Sequence, residues 1–286
     1  LATGYLLFHY SLAQKKTLYV RDGYLIVSAS WIICSLISVF PYMLSGEVPN
    51  FIDALFESVS GYTTTGATML EDWDLPYSIV LWRATTNWLG GMAILIFIIS
   101  VLPLFGTGGH RVAYAEAPWP TYSRTSPRVS DLSKILLKLY IGLTLSAIVL
   151  LGISKMDWFE AIINGLGSVS TAGLLLHPGG VEYYDSFYIE TVINVFTILS
   201  SISFVMYLYL IQGNFKSIRN NIELRVFLMI ILGFSLFISF NLIWSGTYDS
   251  IGTAFRHAFF QVTSIATTSG YTIGDPSVWP SFAKVL

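Results

Sequence analysis

Gly61-Tyr-Thr-Thr-Thr-Gly-Ala-Thr68, Gly167-Ser-Val-Ser-Thr-Ala-Gly173 and Ile265-Ala-Thr-Thr-Ser-Gly-Tyr-Thr272 are three polar, small-residue stretches that look like copies of one another. Each follows a short apolar segment and precedes a long one. Backbone of this kind between hydrophobic helices must be buried in protein or line a watery path, because lipid offers no hydrogen bonds. A repeated stretch points further, to backbone carbonyls gathered around an ion.

The setting is a membrane. The chain has 286 residues, 54% hydrophobic and only 11% charged, whereas ordinary soluble domains carry about 25% charge. Several apolar runs are long enough to span a bilayer. The single cysteine, Cys34, lies in one of them; a disulfide within the chain is impossible and a small buried role is its default. Residues 1–12 read as the end of a spanning helix already under way, so the chain is expected to start inside a longer protein.

Spans are predicted at 24–44, 77–105, 132–154, 186–212 and 222–245. Shorter helices at 51–61, 157–167 and 252–264 cannot cross and read as re-entrant. The unit is span, half-helix, polar loop, span. Gly66, Gly173 and Gly270 are separated by 107 and 97 residues. In register before them stand Thr64, Thr171 and Thr268, then Phe56, Ile163 and Phe260, then Ala54, Ala161 and Ala258, then Phe51, Trp158 and Phe255. Repeats of this kind decide a fold. The predicted fold class is an all-α polytopic membrane protein of repeated span–pore helix–filter loop–span units, pseudo-fourfold around a central pore. The divisions are 1–22 (end of a preceding helix and connector), 23–106 (first repeat), 107–131 (cytoplasmic connector), 132–213 (second repeat) and 214–286 (third repeat, truncated).

Lys15, Lys16, Arg21, Arg111, Arg124, Arg128, Lys134, Lys138, Lys216, Arg219 and Arg225, 11 of the 15 basic residues, fall on the side opposite the loops. Positive connectors stay in the cytoplasm, so the loops face outward. Most acidic residues, including Glu71, Asp72 and Asp74, fall on the loop side and raise the local cation concentration.

A dehydrated potassium ion needs oxygens in place of water, and extended backbone supplies them. Glycine permits the required φ, hydroxyls hold the loop or line its mouth, and a half-helix aims its negative end at the cation. Close packing of membrane helices also favours small residues. Three copies in register favour the ion-binding reading.

These residues resemble the Trk/Ktr/HKT superfamily of potassium-translocating proteins, and the Trk branch most closely. The resemblance rests on the first loop, on Trp82-Arg83 through Asn87-Trp88-Leu89-Gly90-Gly91-Met92, on Ala115-Glu116-Ala117-Pro118 with Thr125-Ser126-Pro127-Arg128, and on Glu223-Leu224-Arg225. It implies four repeats around one pore, each with one filter glycine. The matching glycines are Gly66, Gly173 and Gly270. The implied potassium-binding carbonyl donors are Thr63, Thr64 and Thr65, then Ser170, Thr171 and Ala172, then Thr267, Thr268 and Ser269. Ala172 stands where the other loops have a hydroxyl, so a site there relies on carbonyls alone. The resemblance also implies a homodimer, a cytosolic nucleotide-binding regulatory subunit and a bacterial inner membrane. The fourth repeat and the family's gating loop are expected beyond Leu286.

Arg83 sits inside a span, where arginine is costly. Two readings stand: it pairs with a pore-helix acid, Asp53 or Glu57, and supports the filter, or it snorkels to the outer interface. The histidines (His9, His110, His177, His257) have no ligand spacing and read as packing or hydrogen-bonding groups. Arg256 and the tryptophans Trp119, Trp158, Trp244 and Trp279 read as interfacial anchors. The basic 107–138 segment reads as a solvated connector, with contact to a regulatory subunit as the alternative. No hydrolase, metalloprotease or phosphate-loop motif is present, which argues against an enzyme, and nothing points to nucleic acid. The predicted function is potassium uptake, with sodium as a second permeant ion and no covalent cofactor. The alternatives are a symporter coupled to sodium or protons, and a non-conducting membrane docking subunit.

Overall fold

The structure, a computed structural model, describes residues 20–70, 75–101, 129–274 and 278–285. The acidic cluster Glu71, Asp72 and Asp74 lies outside the described residues. So do Lys15, Lys16, His9, His110, Trp119 and most of the 107–131 connector.

The described residues are helical, with an isolated β-bridge between Gly180 and Ile273. The first unit comprises α1 (Val20–Ser45), α2 (Phe51–Tyr62) and α3 (Tyr77–Val101). The second comprises α4 (Val129–Ile153), α5 (Trp158–Ser170), a 3₁₀ turn (Val181–Tyr184), α6 (Phe187–Ser201) and α7 (Phe204–Ile211). After the short α8 (Phe215–Asn220), the third comprises α9 (Ile222–Trp244), α10 (Ile251–Ala266) and α11 (Ser281–Val285).

Leu25–Ser45, Lys134–Ile153 and Ile222–Trp244 are long and apolar enough to cross a membrane. Their exposed faces carry Ile33, Ile37, Phe40, Leu145, Val149, Phe237 and Phe240, as lipid contact requires. The half-helices α2 and α5 have 12 and 13 residues, about 18–20 Å at 1.5 Å per residue, well short of a hydrocarbon core of about 30 Å. Each starts on a side-chain cap. Asn50 accepts the Ile52 N–H at 3.0 Å and Asp157 accepts that of Phe159 at 2.9 Å. Ala54, Ala161 and Ala258, in register in the sequence, are all fully buried at 0% exposure. A larger side chain on that face would hold the half-helix off its neighbours.

The units interlock by one rule used twice. The exit helix of a unit packs on the half-helix of the next: α3 on α5, and α6 on α10. Gly91 makes the first contact possible, and Gly90 lets α3 close on the end of its own unit's half-helix, α2. A Cβ on Gly90 would run into the Tyr62 carbonyl, and one on Gly91 would come within 2.7 Å of the Tyr140 hydroxyl and 3.5 Å of Ser170 Cα. Beside them Trp88 Nε1 donates to Thr144 Oγ1 at 2.9 Å, and Tyr140 donates to the Trp88 carbonyl at 3.0 Å. The Asn-Trp-Leu-Gly-Gly-Met motif is thus the seam between the first two units.

The span expected over 186–212 is not one helix. It breaks at Ile202, which is extended (φ −72°, ψ 138°). Continuing the helix would send the Ser203 N–H to the Leu199 carbonyl. The Tyr207 hydroxyl donates to that carbonyl at 2.5 Å, and Ser201 Oγ takes the Thr197 carbonyl at 2.9 Å. Side chains that compete for ladder carbonyls break helices.

The close approach of α3 to the end of α2 at Gly90 is open to a direct check. Gly90→Ala lowers the melting temperature of the full-length protein by the equivalent of about 1–3 kcal/mol, because the added methyl meets backbone that cannot move aside. Gly142→Ala, on α4 with nothing within 4 Å of its Cβ position, leaves the melting temperature unchanged or raises it. Thermal unfolding in detergent checks the pair.

Candidate functional site

A half-helix that stops inside the membrane leaves its last carbonyls unpaired. All three stop in the same way. Thr65 N–H bonds the Ser60 carbonyl at 3.0 Å, Ala172 N–H that of Gly167 at 3.1 Å, and Ser269 N–H that of Ser264 at 2.9 Å. Each reaches five residues back onto the last turn, the Schellman pattern. The preceding residue is left-handed each time: Thr64 (φ 53°), Thr171 (φ 53°) and Thr268 (φ 55°). One residue earlier, a hydroxyl caps the helix. Thr63 Oγ1 donates to Val59 O at 2.8 Å, Ser170 Oγ to Leu166 O at 2.9 Å and Thr267 Oγ1 to Thr263 O at 2.8 Å.

A second left-handed residue follows two positions later: Gly66 (φ 73°), Gly173 (φ 55°) and Gly270 (φ 75°). These glycines also set how the loops stack. A Cβ on Gly66 would collide with the Ala172 carbonyl of the second loop, and one on Gly173 with the Ser269 carbonyl of the third. The Cβ position of Gly270 meets nothing within 4 Å.

Thr65, Gly66, Ala172, Gly173, Ser269 and Gly270 share the lining of one cavity of about 230 Å³, together with Arg83 and Leu174–Leu176. Of the twelve expected loop residues, these six reach it. Thr63, Thr64, Ser170, Thr171, Thr267 and Thr268 lie at the helix ends and are outside that lining. Among the described residues no cluster of three His, Cys, Asp or Glu side chains forms a metal site. The loop oxygens at the cavity are therefore carbonyls and hydroxyls, which suit a hard monovalent cation.

Three charge pairs stand around the loops. Arg83 Nε lies 3.1 Å from Glu57 Oε2, with Glu57 only 2% exposed. Glu57 Oε1 accepts the Thr68 hydroxyl at 2.7 Å and the Met69 N–H at 2.6 Å. Guanidinium, carboxylate and the strand leaving Gly66 thus form one chain of contacts. Asp53, one turn earlier on α2, is not Arg83's partner. In the second unit His177 Nε2 lies 2.8 Å from Glu160 Oε1, and its ring stacks on Tyr183 at 3.7 Å. Burial and the neighbouring Glu160 push the Tyr184 hydroxyl beside them well above the ordinary tyrosine range. The third pair joins Arg256 of α10 to both carboxylate oxygens of Glu190 on α6. Arg256 also lies over the Phe187 ring at 5.7 Å.

Arg256 is therefore held by a buried carboxylate rather than serving only as an interfacial anchor, since Glu190 at this depth needs a cation. Glu190 is a residue that reading the sequence missed. A signal existed: it stands 17 residues after Gly173, as Arg83 stands 17 after Gly66. His257 makes a hydrogen bond, Nδ1 to the Tyr248 hydroxyl at 2.9 Å. Tyr271, 1% exposed, was also missed. Its hydroxyl donates to the Asn164 carbonyl at 3.2 Å and lies 3.5 Å from Ser168 Oγ, tying the third loop to the second half-helix. Beyond it Val181 N–H bonds the Thr272 carbonyl at 2.9 Å.

The Arg83–Glu57 pair is testable. Arg83→Ala leaves an unpaired buried carboxylate and destabilises the protein by about 3–5 kcal/mol. Adding Glu57→Gln to that variant recovers a large part of the loss, because no charge then stays buried. Thermal unfolding of the two variants measures the difference; equal melting temperatures would rule out the coupling.

The TrkH family, described as cation transport protein, matches residues 2–286. The Trk system potassium uptake protein TrkG of Escherichia coli K12 is 37% identical over 93% of this chain and 56% of its own length. The corresponding TrkH protein of Salmonella typhimurium is 35% identical over 100% of this chain and 60% of its own. The crystal structure of the potassium transporter TrkH from Vibrio parahaemolyticus superposes with a TM-score of 0.81 at 31% identity, covering 95% of this chain and 56% of that one. The chain thus spans somewhat under two thirds of the length of these relatives. With the same fold, and with a family match along nearly its whole length, the chain belongs to the TrkH family of cation transport proteins.

Proposed function

We propose that this chain is part of the ion-translocating membrane subunit of a potassium uptake system. The observation that carries the reading is the threefold recurrence of one loop geometry around a common cavity, with Gly66 and Gly173 each stacked on the neighbouring loop's carbonyl. Thr63–Gly66, Ser170–Gly173 and Thr267–Gly270 are its filter segments. Their carbonyls replace water around the ion. The half-helices α2, α5 and α10 turn their negative ends toward it. Arg83 and Glu57 support the first segment from behind. The named potassium uptake activity of the TrkG and TrkH relatives agrees with this reading.

The finer assignments follow the same logic. The loops face outward and the basic connectors inward, in a bacterial inner membrane. The relatives are longer than this chain, and the reading includes a fourth loop that completes the ring. The subunit works as a homodimer with a cytosolic nucleotide-binding regulatory partner. Potassium, and more weakly sodium, moves inward down the membrane potential, worth about 2.3 kcal/mol per charge per 100 mV. The chain hydrolyses nothing itself. With a single glycine per loop, fewer carbonyls are held in line than in a strict potassium channel, so discrimination against sodium is weaker.

Gly66→Val, in cells that depend on the full-length protein for potassium, abolishes uptake while the protein still inserts. Uptake at the original rate would mean that the loops do not conduct and that the subunit only docks partners. In proteoliposomes the unaltered protein gives a bi-ionic potential smaller than that of a strict potassium channel, and a value as large would refute the single-glycine argument.

A further inference from the structure

Each loop has two left-handed residues, two positions apart, and glycine is used at only one of them. The other is Thr64, Thr171 or Thr268, with φ of 53°, 53° and 55°. A β-branched residue there is a genuine outlier, because its Cβ crowds the backbone. Helices that end with this hydrogen-bond pattern ordinarily carry glycine or asparagine at that position. The same disfavoured choice made three times in register is a feature of the design, and strain of this kind gathers at functional sites.

Lack of room does not explain it. Thr268 is exposed, and its hydroxyl makes no hydrogen bond among the described residues. Glycine would fit there and cost nothing conformationally. What threonine does is raise the energy of the loop shape in the structure relative to one in which the residue returns to the β region. That return breaks the closing bond, Ser269 N–H to Ser264 O at 2.9 Å, and turns the carbonyls between Thr268 and Gly270 away from their neighbours.

We propose that the left-handed conformation of Thr64, Thr171 and Thr268 sets how tightly the loops hold an ion, and weakens that binding. Part of the ion's interaction energy goes into holding strained loops, so the ion binds loosely enough to leave. This rests on the reading of the loops as a potassium filter. An ion that binds only the left-handed form has an apparent affinity reduced by the fraction of protein in that form. Conduction needs sites that bind but also release. Branched threonine sets that fraction below one while still permitting the shape, and the strain is shared among three loops.

The test is stabilisation of the full-length protein in nanodiscs by rubidium or potassium, read as melting temperature against ion concentration. Thr268→Gly lowers the half-stabilising concentration by about fivefold or more. Thr268→Asn lowers it less, and Thr268→Val, which tolerates the left-handed region worse than threonine, raises it. The melting temperature without ion shows whether each variant is folded. A midpoint that fails to follow the order Gly, Asn, Thr, Val overturns the proposal. No stabilisation of the unaltered protein by either ion overturns instead the filter reading on which it rests.

Discussion

Everything in this structure depends on ending a helix in the middle of a membrane. The last turn of a helix has carbonyls without partners, and lipid supplies none. Three times the chain answers with the same reversal. A backbone N–H two or three residues past the helix returns to the last turn, and a serine or threonine hydroxyl caps the carbonyl four residues back. Left-handed backbone is the geometric condition for that reversal. Having satisfied the helix, it leaves the carbonyls of the following residues without helical partners. The same local solution thus closes the helix and exposes the oxygens that a cation can use.

The reversal alone does not bring three loops together. That depends on the exit helices α3 and α6, each laid against the half-helix of the next unit. The two seams use different chemistry for the same purpose. The first relies on the absence of a side chain at Gly91 and on the Trp88–Thr144–Tyr140 hydrogen bonds. The second relies on Arg256 and Glu190, with Tyr271 reaching from the third loop to α5. Arg83 and Glu190 occupy the same position in their repeats with opposite charge. Arg83 turns to an acid on its own half-helix, and Glu190 to a base on the next. Repeats that diverge can keep a position charged and buried while changing its sign, provided that the partner changes as well.

Much of this was legible in the sequence because apolar runs and loop composition are local signals. The spans, the half-helices and the register of Ala54, Ala161 and Ala258 follow from length and pattern. Other features were not legible, each for a physical reason. The break at Ile202 comes from Tyr207 taking a carbonyl that the ladder needs, a competition invisible to hydropathy. The choice between Asp53 and Glu57 turns on which turn of α2 lies level with Arg83 of α3, since i and i+4 share one face. Those residues are one turn apart and chemically alike, so only packing separates them. Glu190 was hidden because the repeat alignment seeks like residues, and here the sign is reversed. The left-handed threonines were hidden because composition gives no reason to place a branched side chain there.

Arg83 poses a last question, since it lines the cavity that a cation would enter. An unpaired guanidinium about 8 Å from a potassium ion would repel it by about 2 kcal/mol at an effective dielectric of about 20. Glu57, in contact with it and buried, largely cancels that field. In the proposed filter the pair would act as a dipole and as a tether, and an ion would feel chiefly the carbonyls and the helix ends. The same reasoning explains why Glu57 is shared. One carboxylate oxygen neutralises Arg83 and the other accepts Thr68 and Met69, so the group that keeps the cavity open to cations also fixes the backbone beside it. An isolated arginine in this place would serve neither purpose.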